Sequence, residues 1–364
     1  MISLANPEFG PEEIAAVDEV LESGMVADGP EVRAFEAEFA DYCGADHAVA
    51  TSNGTTALHA ALTALDIGDG DRVVTTPLSF VASANAIRLA GAEPVFADID
   101  PATYNLDPAA TERVVRETDA DAILAVHLYG LPADVAALGD IADDAGIPLI
   151  EDAAQAHGAT YDGRSVGTFG DAAAFSFYPT KNMTTGEGGM VVTDREAVAD
   201  RAASFCNHGR TDDGGYAHER VGHNFRMTSL AAAIGRVQLD RLPEWVASRR
   251  ANARRLTNGL ADIEGLTTPD APDRFGHAYH QYTVRTPDRE RLQEHLADNG
   301  VDSGVYYPTP IHKLAAYDGY DADAPVAEAA ADEVLSLPVH PTLTETELDR
   351  IVEATRSAVT QLRA

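Results

Sequence analysis

The chain has 364 residues, 45% of them hydrophobic, and carries 59 acidic against 26 basic residues for a formal net charge of −33. That length supplies a core large enough for two domains, or one large and one small. The charge repels nucleic-acid phosphates and anionic lipid, so neither is an expected partner.

No apolar run approaches the ~18–20 residues of a membrane span. The first residues, MISLANPEFGPEE, lack the basic-then-apolar order of a signal peptide, so a soluble cytoplasmic protein is expected. In chain order, PEEIAAVDEVLES opens with Pro11 and spaces Ile14, Val17 and Leu21 along one helical face. HAVAT (47–51) is a short apolar run, followed by an expected helix from Thr55 to Leu65. Strands are expected at 71–77, 93–99, 121–127 and 147–152, with MVVT (190–193) as a later one; helices are expected at 81–90, 108–117 and 133–145. Alternating strands and helices imply an α/β fold with a mainly parallel sheet covered on both faces. Such sheets bind ligands beyond the carboxyl ends of their strands.

From about residue 243 the pattern changes. A long helix is expected to start at Pro243, and 280–286 and 300–307 read as strands with a helix between them. Thr344 and Glu347 have capping-box spacing, ahead of a face of Leu348, Ile351, Val352, Thr355 and Val359. The expected division is a large domain, 1–242, and a small C-terminal α/β domain, 243–364.

Several chemistries are struck out. Only two lysines occur, Lys181 and Lys313, and neither precedes Ser or Thr, so there is no Walker A loop. HERVGH (218–223) is one residue too long for HExxH, so its histidines do not share a helix face and no metal site is expected. No GxSxG or GxGxxG appears. Cys43 and Cys206 form no CxxC and read as small buried hydrophobes.

What remains is a set of polar residues at strand ends and helix starts. Asp152 in LIEDAAQAHG lies where a strand leaves the core; alone it reads as an N-cap or turn residue. SNGTTAL (52–58) is a turn into a helix, and its free N–H groups suit an anion. Phe80 in TPLSFVASANAI, taken alone, reads as core. The other 24 basic residues are arginines, so a retained lysine in FSFYPTKNMTTGEGG suggests a task arginine cannot perform.

The order SNGTTAL, SFVASANAI, EDAAQAHG, FSFYPTKNMTTGEGG, GHNFRMTSLAAAIGRVQL, YYPTPIH and LSLPVHP resembles the DegT/DnrJ/EryC1/StrS family of sugar aminotransferases dependent on pyridoxal 5'-phosphate (PLP), which have the aspartate-aminotransferase fold (type I). The resemblance runs from near residue 8 to the C-terminus. It implies that Lys181 forms a Schiff base with the PLP aldehyde and then shuttles a proton between cofactor and substrate carbons. It implies that Asp152 pairs with the pyridine nitrogen, Gln155 bonds near the ring hydroxyl and Phe80 lies on the ring. Gly54, Thr55, Thr56 and Ser176 would hold the phosphate, joined by Asn224 of a neighbouring subunit, so at least a homodimer with shared sites is implied. His208, Arg226, Tyr307 and His312 are candidate substrate contacts, each with an ordinary packing or surface role as the bland alternative. Lysine at position 181, where dehydratases of the family have histidine, favours transamination from glutamate to a nucleotide-linked keto-hexose in amino-sugar biosynthesis. The alternatives are a sugar dehydratase, an aminotransferase on a non-nucleotide ketose or cyclitol, and a regulatory homologue without catalysis.

The acidic, lysine-poor composition looks like adaptation to high salt, where screening suppresses self-repulsion. Thermal melts are therefore expected to rise from low to multimolar salt. Equal melting temperatures at both extremes would remove that reading.

Overall fold

The computed structural model describes residues 1–211 and 216–362. Its first half alternates helix and strand: α1 (Pro11–Ser23), α2 (Pro30–Cys43), β1 (His47–Thr51), α3 (Gly54–Ala64), β2 (Arg72–Thr75), α4 (Ala82–Ala90), β3 (Glu93–Phe96), α5 (Pro108–Thr118), β4 (Ala122–Val126), α6 (Val135–Ala145) and β5 (Leu149–Asp152). A short excursion, β6 (Thr160–Tyr161) and β7 (Arg164–Ser165), precedes β8 (Ala172–Ser176), β9 (Gly189–Thr193) and α7 (Glu196–Cys206). The remainder holds α8 (Ser229–Leu260), β10 (Phe275–Gly276), β11 (Tyr282–Arg285), α9 (Arg289–Asp298), α10 (Pro325–Glu333), β12 (Val334–Leu337) and α11 (Glu345–Leu362).

Seven strands form the central sheet in the order β1-β9-β8-β5-β4-β2-β3. Only β9 runs against its neighbours. β4, β5, β8 and β9 are buried at every position, as a sheet covered on both faces requires. The expected α/β architecture with a mainly parallel sheet is therefore present. α2, β6, β7, β8, α7, β10, α10 and β12 are additions to the expected elements.

Three expectations need correction. The long helix does not start at Pro243; α8 begins at Ser229, where Thr228 caps it, and Pro243 lies inside. An interior proline costs about 3 kcal/mol through a lost hydrogen bond and a steric clash. The packing of α8 at both ends offsets that cost. Leu239, Leu242 and Val246 join Phe35 and Phe39 in one core, while Ala253, Leu256 and Leu260 join Tyr282, Leu292 and Ile351 in another. The expected boundary at 242/243 thus falls within a continuous helix. Residues 300–307 form no strand; they carry only single bridges, Val301 to Ile2 and Gly304 to Ser336.

The third correction concerns α1. Its apolar positions Ile14 and Leu21 are 71% and 56% exposed, and the residues turned inward are Glu13 and Val20. Polar pairing sets this rotation. The Glu13 carboxylate accepts from the Gly10 amide at 2.7 Å and from Gln238 Nε2 on α8 at 2.8 Å, and it faces Arg241 Nη1 at 3.3 Å. At the other end of the chain the expected capping box forms: the Thr344 amide donates to Glu347 Oε2 at 2.9 Å and the Glu347 amide to Thr344 Oγ1 at 3.3 Å.

Candidate active site

The side chains that carry chemistry gather beyond the carboxyl edge of the sheet. β5 ends on Asp152 and β8 on Ser176, and the turn after β1 opens α3. Along β5, side chains alternate between faces. Glu151 is fully buried. Its carboxylate accepts from His127 Nε2 at 2.9 Å and from the amides of Gly167, Phe169 and Gly170 at 2.7, 2.7 and 2.8 Å. Burial alone would raise its pKa; the His127 and backbone donors outweigh that and hold it below the ordinary value. The Ala133 amide donates to His127 Nδ1 at 3.0 Å, which leaves the ring proton on Nε2.

Asp152 projects into the cleft, 5% exposed. Ser83 Oγ donates to its Oδ2 at 2.7 Å and the Ala154 amide to its Oδ1 at 3.2 Å. Burial raises its pKa, and those two donors and Lys181 oppose the rise. Gln155 is oriented by the Tyr129 amide, which donates to its Oε1 at 2.8 Å; its Nε2 then faces the cleft and donates to Tyr307 Oη at 3.2 Å.

Lys181 stands on the loop between β8 and β9. That loop is closed at its base by the Phe177 amide to the Gly188 carbonyl at 2.8 Å and the Thr185 amide to the Phe177 carbonyl at 3.1 Å. The lysine is half-buried at the cleft floor and makes no ion pair among the described residues. Burial draws its ammonium down to about 8, with the Asp152 carboxylate opposing. At pH 8 such an amine is roughly half neutral, against about 0.4% for an ordinary lysine. His280, beside it, is held well below its ordinary pKa by burial and then by Lys181, so its imidazole is neutral.

The start of α3 forms a cup. Asn53 caps it by accepting from the Thr56 amide at 2.9 Å, and Thr56 Oγ1 donates to the Asn53 carbonyl at 2.8 Å. Thr56 is therefore committed to the cap. The amides of Gly54 and Thr55 have no partner among the described residues and suit an anion. A side chain at Gly54 would place its Cβ 2.7 Å from the Ser176 Cβ, so glycine is what lets the helix start approach β8. Phe80 is not core: it is 54% exposed over the cleft, its ring centroid 6.0 Å from that of Tyr307. The cleft encloses about 820 Å³.

Of the residues singled out from sequence, Gly54, Thr55, Thr56, Phe80, Asp152, Gln155, Ser176, Lys181 and Tyr307 line this one cleft. His312 does not. It is buried against Phe96, and its Nε2 bonds Glu328 Oε1 on α10 at 3.1 Å. Lys313 pairs with the same Glu328 at 3.0 Å. Asn224, His208 and Arg226 also lie outside the cleft of the single chain. Asn224 and His208 are exposed, and Arg226 Nη1 donates to Asn207 Oδ1 at 2.7 Å. Sequence reasoning missed Ser79, Ser83, Tyr178, Glu187, His280 and Gln281, all in the lining. The serines flank Phe80 in a segment already singled out; His280 and Gln281 carried no local signal.

A half-buried lysine that is part-neutral near pH 8 can attack a carbonyl, which arginine cannot do, and an acid lines the same cleft. This chemistry, on an α/β fold, is that of a site where an amine adds to a carbonyl. A family model for the DegT/DnrJ/EryC1/StrS aminotransferase family matches residues 7–356. The chain is 42% identical over 352 residues to a pleiotropic regulatory protein of Geobacillus stearothermophilus, covering 95% of this chain and 94% of the relative. It is 41% identical over 360 residues to a dTDP-3-amino-3,4,6-trideoxy-alpha-D-glucose transaminase of Streptomyces venezuelae, covering 98% and 94%. The structure of S. venezuelae DesV in complex with a ketimine intermediate superposes with a TM-score of 0.92 at 41% identity, covering 96% of this chain and 94% of that one. The chain belongs to the DegT/DnrJ/EryC1/StrS aminotransferase family.

Reductive methylation of the cofactor-free protein with ¹³C-formaldehyde labels only two lysine side chains, besides the amino terminus. The Lys181 resonance is expected to titrate near pH 8. A midpoint above about 10, the ordinary lysine range, would show that burial does not activate it.

Proposed function

We propose that the protein is a PLP-dependent aminotransferase that moves the amino group of glutamate to a keto group on a nucleotide-linked hexose. The observation that carries this reading is the half-buried Lys181, drawn down to about 8, in one cleft with the buried Asp152 and an anion cup.

The residues present fit PLP. The free amides of Gly54 and Thr55, with Ser176, would hold the phosphate; Asp152 would hold a proton on the ring nitrogen; Gln155 Nε2 would meet the ring hydroxyl; and Phe80 would cover the ring face. When bound, PLP supplies the electron sink that amino transfer needs. Lys181 binds as the neutral amine and afterwards carries a proton at Nζ from one carbon to another. The cleft volume leaves room beyond a cofactor for a sugar, and the names of the S. venezuelae relatives support a nucleotide-linked one. A regulatory role, suggested by the G. stearothermophilus relative's name, does not need a lysine with a lowered pKa in one cleft with Asp152 and an anion cup.

The working unit is a homodimer. Phe9, Ile14, Leu21, Met25 and Val26 are exposed large apolar side chains within the first 26 residues, which suits contact with a second copy. Asn224 would reach the partner's phosphate site, with His208 and Arg226 near the partner's substrate.

Screening keto-sugar nucleotides with glutamate should find one that is aminated, and glutamate should bleach the visible band of the PLP-loaded protein. Lys181→Ala and Lys181→Arg should both abolish turnover; retained turnover in either refutes the assignment, as does a colourless protein indifferent to PLP. Shared sites are tested by mixing inactive Lys181→Ala with Asn224→Ala. Subunit exchange should restore about a quarter of wild-type activity, since half the dimers are mixed and each has one intact site. No recovery despite exchange would place Asn224 outside the partner's site.

A further inference from the structure

We propose that Ser83, supported by Ser79, is a positioning residue for Asp152: the two hydroxyls form a one-way hydrogen-bond relay that keeps the carboxylate charged and aimed into the cleft. The proposal rests on the PLP reading, because the charge on Asp152 matters through the ring nitrogen it would face.

Ser79 Oγ lies 3.0 Å from Ser83 Oγ, and Ser83 Oγ lies 2.7 Å from Asp152 Oδ2. All three residues are buried, yet all line the cleft. A hydroxyl has one proton to give. Within reach of Ser83 are the Asp152 carboxylate, Ser79 Oγ and the Phe80 carbonyl at 3.3 Å. The carboxylate is both charged and nearest, so it takes that proton's hydrogen bond. The Ser83 oxygen is then left as an acceptor, and Ser79 has no other hydroxyl partner among the described residues. Ser79 therefore donates to Ser83, which polarises the Ser83–Asp152 bond in the same sense.

Asp152 needs such support. Burial favours its protonated form, and Ser83 is the first of the groups that oppose it. A protonated Asp152 would present a donor where the ring nitrogen requires an acceptor for its own N–H. The placement also follows from the fold. Ser79 and Ser83 are four residues apart across the turn that opens α4, and Phe80, on the same turn, is exposed to the cleft. One turn thus delivers the ring-covering side chain outward and both hydroxyls inward.

The test uses holoenzyme reconstituted with PLP carrying ¹⁵N in its ring, whose chemical shift reports protonation. The wild type is expected at the protonated position. Ser83→Ala should move the shift toward the unprotonated position, carry the acid limb of kcat to higher pH, and lower kcat by about 10- to 100-fold, the change that one charge-assisted hydrogen bond accounts for. The KM for the amino donor should stay within about threefold, since uniform binding is untouched. Ser83→Thr should restore all three readouts, and Ser79→Ala should show the same changes in smaller measure. Ser83→Cys, a weak donor of similar size, supplies the comparison if Ser83→Ala does not fold. An unprotonated ring nitrogen in the wild type would overturn the PLP–Asp152 reading beneath the proposal. A protonated wild type matched by the donor-lacking variants in both shift and acid limb would overturn the relay alone.

Discussion

The buried carboxylate of Glu151 is the constraint from which the cleft is built. An ion removed from water costs several kcal/mol unless its lone pairs are met. Here His127 on the loop after β4 and three amides before β8 meet them. Two loops are thereby tied to the end of one strand. The His127 loop carries Tyr129, whose amide orients Gln155, and the strand itself continues into Asp152. The chemistry at the sheet edge is held in place by a charge that never touches it.

Much of the fold was legible because its signals are local. Strand ends at Thr51, Asp152 and the MVVT run, the α5 and α6 patterns, and the Thr344–Glu347 box depend on residues within one or two turns of each other. The departures came where distant partners decide. Pro243 resembles a helix start until two separate cores claim the helix on either side of it. The apolar positions of α1 point inward only if nothing stronger sets the rotation, and Glu13 with Gln238 and Arg241 does. Residues 300–307 have strand-like composition, but only single bridges to Ile2 and Ser336 are available to pair with them.

The site divides the same way. Residues on contiguous motifs (Lys181, Asp152, Gln155, the α3 start) converge as their order suggested. His312 lay in an equally suggestive segment, yet Glu328 and Phe96 engage it away from the cleft. His280 and Gln281 reach the floor from about 100 residues beyond Lys181, through a chain reversal that no local pattern announces. Ser83 was in plain sight beside Phe80; what hid it is that a serine's role is set by the one proton it gives, and only coordinates show to whom.

α8 has a mechanical consequence. Its 32 residues make a strut of roughly 48 Å, with one end among Phe35 and Phe39 and the other among Tyr282 and Ile351. Ile2 crosses back from the N-terminus into that second core. Each core is therefore wedged by chain that belongs equally to the other. Melting either would unload one end of the same rod, so the two bodies are coupled as a single cooperative unit despite their separate interiors. Arg249, buried on this rod and bonded to the carbonyls of Tyr279 and His280, joins the cleft floor to that unit.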